Sequence, residues 1–327
     1  MKVTYYYRPK APSAFSIEGV FSLIREALAG KIQMAEYYCT EKWKRLYSLL
    51  EAPKVQGDIN HITGDVQFLA LVLKGKKTIL TIHDVGHYER TLTGIKKKIF
   101  KLFWLDLPLS RVAAVTTISE FTKSRILAHT NVPASKVHVI YNPAPADFTY
   151  SPKTFDESCP AILQVGGGLN KNIHRLIEAI EGHSFRLILV RKRDAQLEEL
   201  LIAKGIAYEW HERIPREELV ECYRKCDILF FASEYEGFGV PIIEANATGR
   251  VVITGNVASM PEIAADAAVL VNPFDVNEIR VALLKLKNDS SYREVLIQNG
   301  LKNLERFAPE RVAQEYFDLY EKTIKNQ

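Results

Sequence analysis

The sequence predicts an α/β protein built of two Rossmann-like, doubly wound parallel-sheet domains that face each other across a cleft. Short apolar, β-branched runs alternate with stretches of helical period, the pattern of a parallel sheet with helices packed on it. The alternation breaks once, in a proline-containing polar stretch after residue 141, and then restarts. The chain has 327 residues, which at roughly 150 residues per domain suggests two such domains.

In the first series the strand candidates are Val3 to Tyr6, Ile59 to Ile62, Thr78 to Ile82, Ala113 to Ile118 and Val137 to Ile140, with helices between most of them. Tyr141-Asn142-Pro143-Ala144-Pro145 and the polar stretch up to Pro160 carry no apolar period, so residues 142–159 are expected to link the domains. The second series runs Ala161 to Val165, helix 171–182, Phe185 to Val190, helices 194–204 and 216–225, Ile228 to Phe231, helix 241–248, Val251 to Ile253 and Ala268 to Val271. From about 275 to 325 the pattern is helical. The expected division is residues 1–145, a first Rossmann-like domain; 146–305, a second; and 306–327, a helix that packs back on the first domain.

Hydrophobic residues make up 47% of the chain and charged residues 25%, which excludes a polyelectrolyte or low-complexity chain. A net charge of +4 is too small to announce a nucleic-acid surface, and no nucleic-acid partner is expected. Cys39, Cys159, Cys222 and Cys226 are scattered. Their closest pair is spaced i, i+4, which argues against a zinc ribbon or disulfide framework and for a reducing compartment. Arg8 interrupts the N-terminal apolar run where a secretory signal would need it to continue. No stretch reaches the ~20 apolar residues that span a bilayer. A cytoplasmic protein is expected, at most seated on the inner face of a membrane.

The most informative stretch follows the strand 228–231: Ser233-Glu234-Tyr235-Glu236-Gly237-Phe238-Gly239-Val240-Pro241-Ile242-Ile243-Glu244. Gly237 and Gly239 let the backbone approach a ligand, and Pro241 suits the first turn of a helix. The loop amides and helix N-terminus together form an anion site. Glu236 precedes the loop and Glu244 lies about one turn into the helix, so one nucleotide-sized ligand could touch both. A phosphate flanked by two polyols, a sugar and a ribose, fits that layout. The competing reading is that both carboxylates merely favour the helix N-terminus electrostatically.

This segment resembles the E-x7-E motif of the family 4 retaining glycosyltransferases, which have the GT-B fold. The resemblance extends through Thr81-Ile82-His83-Asp84, Thr117 to Thr122, Val139 to Pro143, Val165-Gly166-Gly167 with Asn170-Lys171-Asn172, and Ser259 to Ile263. It implies that Glu244 holds the donor ribose and Glu236 the transferred sugar, while the amides of Gly237, Phe238, Gly239 and Val240 meet the diphosphate and sugar hydroxyls. It further implies that Gly166, Gly167, Lys171 and Asn172 line the same site, that Lys171 neutralises the leaving diphosphate, and that His83 approaches the transferred sugar. Glu236, His83 and Lys171 are the expected catalytic residues. Relatives carry an arginine beside the lysine loop where this chain has Leu169 and Asn170, so no second cation is assigned.

No D-x-D sequence occurs, so neither a metal nor another cofactor is expected, the nucleotide-sugar being a substrate. Taken alone, His83 reads more readily as a structural histidine with Asp84 as partner, Ser119 as a helix cap, and Cys222 with Cys226 as core packing. Ile95 to Leu105 joins four lysines to large apolar residues. That stretch suits peripheral contact with an anionic membrane, or equally an ordinary half-buried helix. The expected activity is metal-independent, retaining transfer of a sugar from a nucleotide-sugar to a glycan or lipid-linked hydroxyl. A non-catalytic nucleotide-sugar-binding protein of the same fold is the alternative. A nicotinamide-dependent oxidoreductase is disfavoured by the absent glycine fingerprint.

Overall fold

A computed structural model describes residues 1–9, 16–40 and 45–326. The chain forms two compact units, Met1–Pro143 with Phe307–Gln327, and Ala144–Arg306.

The first unit holds the strands β1 (Lys2–Tyr7), β2 (Gln33–Tyr38), β3 (Ile59–Ile62), β4 (Thr78–Ile82), β5 (Ala114–Thr117) and β6 (Val137–Val139). They make one parallel sheet in the order β2-β1-β3-β4-β5-β6. Its helices are α1 (Ser16–Ala27), α2 (Arg45–Glu51), α3 (Gly94–Phe100), α4 (Leu107–Arg111) and α5 (Glu120–His129), and the C-terminal helix Pro309–Lys325 returns to this unit. That helix lays Val312, Ala313, Tyr316, Leu319 and Tyr320 against Val3, Tyr5, Phe21 and Ile24, sealing one face of the sheet. The other face is sealed by Leu69, Leu105, Leu109 and Ile126 over Leu80 and Val115.

The second unit contains β7 (Ala161–Val165), α6 (Ile173–Ile180), β8 (Arg186–Val190), α7 (Ala195–Ala203), β9 (Ala207–His211), α8 (Arg216–Lys225), β10 (Ile228–Phe231), α9 (Val240–Thr248), β11 (Val251–Gly255), α10 (Met260–Ala264), β12 (Val269–Val271), α11 (Val276–Asn288) and α12 (Ser290–Asn303). Its parallel sheet runs β12-β11-β10-β7-β8-β9. In the unit's own count that is the doubly wound order 3-2-1-4-5-6, which reverses direction between β7 and β10. Ile173, Leu176, Ile177 and Ile180 put one apolar stripe of α6 into the core over Ile162 and Leu187. Asp194, Asp275 and Asp289 cap α7, α11 and α12 by accepting from their first amides.

Two sequence expectations change. The edge strands β2 and β9 carry the half-exposed, polar sequences Gln-Met-Ala-Glu-Tyr-Tyr and Ala-Tyr-Glu-Trp-His, and hydrophobic pattern alone passes over them. Of the expected linker 142–159, residues 144–159 belong to the second unit and are not free. Asp227 accepts from the amides of Asp156 and Ala161 and pairs with Lys153, Arg293 pairs with Glu157, and Phe148 is buried, so the stretch is anchored on the second unit.

One polar network crosses the first unit's core. His61 on β3 is fully buried, with Nδ1 2.7 Å from the Tyr320 hydroxyl and Nε2 2.8 Å from the Thr81 hydroxyl, which in turn lies 2.6 Å from Thr116. Burial holds the His61 pKa down from 6.5 to about 3, so the ring is neutral in the folded protein. The unfolded chain takes up a proton below pH 6.5 that the fold refuses, so His61 contributes stability above that pH which is lost as pH falls toward 3. The expected penalty from His61 is about 2 kcal/mol at pH 5. Thermal melts of wild type and His61→Gln between pH 7 and 5 check it: the wild-type Tm should fall more steeply than that of the variant.

Candidate functional site

The second unit's sheet reverses direction between β7 and β10, and ligands of doubly wound sheets bind outside the strand C-termini at that point. Two loops meet there. After β7 come Gly166, Gly167 and Gly168, a tight turn over Leu169–Lys171, and Asn172, whose left-handed φ of 60° leads into α6. Lys171 therefore closes the turn and does not open the helix. Gly166 and Gly168 have φ of 95° and 111°, in the region that favours glycine. A Cβ at Gly166 would sit 3.0 Å from Lys171 Cε, so the missing side chain is what lets the lysine stem lie across the strand end.

The loop after β10 is stitched to the first. Asn170 accepts from the Glu234 amide at 2.9 Å and its side chain donates to the Tyr235 carbonyl. Asn172 is buried, and its amide donates to the carbonyls of Ala232 at 3.0 Å and Pro273 at 2.6 Å and accepts from Arg175, so its polar side-chain atoms are used within the protein. Ser259 shares its hydroxyl between the carbonyls of Glu236 at 2.9 Å and Phe238 at 2.7 Å, which fixes the Glu236-Gly237-Phe238 backbone. Gly239, with φ 115°, precedes α9, whose N-terminus has no side-chain cap, so no side chain satisfies its first amides.

Lys171 and Glu236 come together. The ammonium lies 2.6 Å from Glu236 Oε1 and 4.7 Å from the centre of the Phe231 ring. The two side chains are 18% and 17% exposed, neither sealed away nor in bulk water. Glu244 stands at the other end of the loop in different company. Its side chain is 4% exposed, Arg216 donates to Oε1 at 2.9 Å and the Tyr223 hydroxyl to Oε2 at 2.7 Å. Arg216 also pairs with Asp147 at 2.6 Å and lies over the Phe148 ring. Burial pushes the Glu244 pKa up, while Arg216 and the Tyr223 hydrogen bond oppose the shift. The two glutamates share no partner, and each has its own cation. A carboxylate offers about four acceptor positions, so neither has its acceptor capacity filled by these contacts.

Pattern reading missed Arg191, Arg216 and Tyr223. Arg216 is the first residue of α8, and only the fold brings it and Tyr223 to Glu244. Arg191 follows β8 directly. Val165 pairs with Val190 and Gly166 donates to the Val190 carbonyl, so the register sets Arg191 beside Gly166. Its Nε and Nη1 are buried without a hydrogen-bond partner, and burial lowers its pKa. Arg191 falls between the strand and helix expected from the sequence, in a stretch to which no motif drew notice.

His83 belongs to the first unit, at the end of β4. Burial lowers its pKa, and Nε2 donates to the Thr63 carbonyl at 2.7 Å. Asp84, the partner suggested by sequence, instead accepts from the Gly86 amide. Gly64, at φ 137°, has its absent Cβ 2.6 Å from the His83 ring, so these positions are built around each other. The first sheet reverses direction between β1 and β3, and there Arg8 pairs with Glu18 at 2.9 Å and Asp65 at 2.8 Å. Ser119 caps α5 through the Thr122 amide. Along residues 95–105, Phe100, Trp104 and Leu105 turn inward, whereas Ile95, Ile99, Leu102 and Phe103 are 69, 52, 44 and 41% exposed. Among the described residues, no helix is long and apolar enough to cross a membrane, and no three His, Cys, Asp or Glu side chains converge on a metal site.

Two family models match in tandem: Glycosyltransferase Family 4 over residues 37–148 and Glycosyl transferases group 1 over 151–303. The O-antigen chain mannosyltransferase B of Escherichia coli is 26% identical over 269 residues, 75% of this chain and 70% of that protein. The O-antigen chain mannosyltransferase RfbU of Salmonella typhimurium is 30% identical over 218 residues, and the match spans 64% of this chain and 60% of the relative. Among solved structures, Anabaena HepE in complex with UDP and glucose superposes with a TM-score of 0.78 at 14% identity, over 98% of this chain and 100% of that one. WaaG, a glycosyltransferase involved in lipopolysaccharide biosynthesis, gives 0.72 at 15% identity over 96% and 98% of the two chains. At such identities the structures establish a common fold.

Removing Arg216 would leave the buried Glu244 with Tyr223 alone. Arg216→Met is expected to cost about 2 kcal/mol, below the full range for a buried pair because the guanidinium is 44% exposed. Glu244 has its pKa raised in the fold, so a variant that raises it further loses most stability where the unfolded carboxyl is ionised. Melts at pH 8 and pH 5 should show the larger Tm deficit at pH 8.

Proposed function

Because this chain belongs to the family 4 glycosyltransferases of GT-B fold, we propose that its second unit binds a nucleotide-sugar at the β7/β10 crevice and that the protein transfers the sugar, with retention, to a glycan hydroxyl. The observation that carries the reading is the meeting of Lys171 and Glu236 at 2.6 Å where the doubly wound sheet reverses. The names of the mannosyltransferase relatives favour mannose as the transferred sugar.

In this reading the diphosphate lies on the glycine turn after β7 and the free N-terminus of α9, where backbone amides and Lys171 meet its charge. Arg191 is the second cation: its unpartnered nitrogens, one strand over from Gly166, gain the acceptor they lack. Glu244, oriented by Arg216 and Tyr223, accepts the ribose hydroxyls, and Glu236 accepts from the transferred sugar while releasing Lys171 to the phosphate. The bond from the anomeric carbon to the phosphate oxygen breaks with its electron pair going to phosphate. The acceptor oxygen adds on the same face, and its proton passes to that phosphate oxygen. No protein nucleophile and no metal is needed in this scheme. The exposed Ile95, Ile99, Leu102 and Phe103, flanked by Lys96, Lys97 and Lys98, would rest on an anionic membrane that presents a lipid-linked acceptor.

Incubation with a panel of nucleotide-sugars and a glycan acceptor tests transfer directly, and a protein that binds a nucleotide-sugar without turnover would favour the binding-protein reading instead. Lys171→Ala should lower transfer by roughly a hundredfold, through loss of charge stabilisation at the leaving group. Arg191→Ala should weaken nucleoside diphosphate by about tenfold and leave the bare nucleoside nearly unaffected. Calorimetric titration with diphosphate and nucleoside in parallel separates the two outcomes.

A further inference from the structure

A cavity of about 320 Å³ opens in the first unit at the edge formed by the N-termini of β4, β5 and β6, the edge opposite the strand ends where doubly wound sheets bind substrates. Lys76 comes from the turn before β4, Arg111 from the end of α4 before β5, Lys136 from the turn before β6, and Lys322 from the C-terminal helix. His138 is also in the wall, and among the described residues no Asp or Glu side chain lines it. Four separate segments thus deliver cations to one space, with no Asp or Glu side chain among the described lining residues to balance them.

Two of these cations are held in place. Arg111 donates through Nε to the Ala70 carbonyl at 3.2 Å, which leaves its terminal nitrogens for a ligand. The Lys136 ammonium sits 2.8 Å from the Leu109 carbonyl and 3.1 Å from that of Ser110, with one N–H still to donate. Lys76 and Lys322 are exposed. Burial pulls the Lys136 pKa down, and Lys322 and Lys123 add to the burial that lowers His138. Like charges gathered at a half-buried cavity repel one another unless an anion is present.

We propose that this cavity is a binding site for a phosphate-bearing anion carrying at least two negative charges, distinct from the nucleotide-sugar site of the second unit. Arg111 supplies a planar fork and the lysines supply point charges, the combination that suits phosphate oxygens. The phosphate can come from a soluble molecule or from a lipid headgroup, and the chemistry at the cavity is the same.

The test uses the full chain carrying Lys171→Ala, so that phosphate binding in the second unit is weakened, with and without Lys76→Ala/Lys322→Ala. Both added changes are at exposed positions and leave the Arg111 and Lys136 anchors intact. Calorimetric titration with pyrophosphate is one arm. Cosedimentation with phosphatidylcholine vesicles containing phosphatidic acid is the other. Loss of affinity by about tenfold or more in the first arm assigns the site to soluble phosphates; the same loss confined to the second assigns it to headgroups. Binding that is undiminished by Lys76→Ala/Lys322→Ala in both arms, or absent from both before those changes, overturns the proposal.

Discussion

Lys171 reaches Glu236 by lying across the end of β7 at a position where the chain has no side chain. Gly166 takes a φ of 95°, its absent Cβ would be 3.0 Å from the lysine stem, and the ammonium arrives 2.6 Å from the carboxylate on the neighbouring loop. The rest of the site follows from that crossing. It requires β7 and β10 to be neighbours, which the doubly wound order provides, and it requires both loops to keep their shape. Asn170, Asn172 and Ser259 enforce that shape by tying loop carbonyls and amides together.

The two carboxylates of the loop are held by different physics. Glu244 is nearly sealed, and its charge depends on Arg216 and Tyr223, which hold both of its oxygens. Glu236 shares a partly open ion pair with a flexible lysine, the arrangement that can be exchanged for a ligand at small cost. A site with one fixed and one exchangeable acid can grip a nucleotide at one end and respond to chemistry at the other. Arg191 adds a guanidinium whose buried Nε and Nη1 have no hydrogen-bond partner among the described residues, an unfavourable arrangement for a buried cation.

Much of this was legible in the residues. The alternation of apolar runs with helical periods carried the two parallel sheets, because central strands buried on both faces show as continuous apolar runs such as Ile-Leu-Phe-Phe in β10. The edge strands β2 and β9 escaped because their half-exposed residues are polar. The glycines and glutamates of the E-x7-E stretch stood out through their place between strand and helix and through the family resemblance that their spacing carries. Arg191, Arg216 and Tyr223 did not, since each is brought to the site by strand register or helix packing over long sequence separations. Asn172 shows the converse limit: its place beside Lys171 suggests a ligand contact, and only the hydrogen bonds reveal that its side chain is used in holding the loops.

Glu236→Gln, assayed on one preparation for both sugar transfer and nucleoside-diphosphate affinity, tests most directly whether Glu236 trades Lys171 for the donor. Loss of the carboxylate frees the ammonium for phosphate and removes the acceptor for the sugar. Transfer should therefore fall by roughly a hundredfold while diphosphate affinity holds or rises. A parallel fall in both, or wild-type values for both, would contradict it.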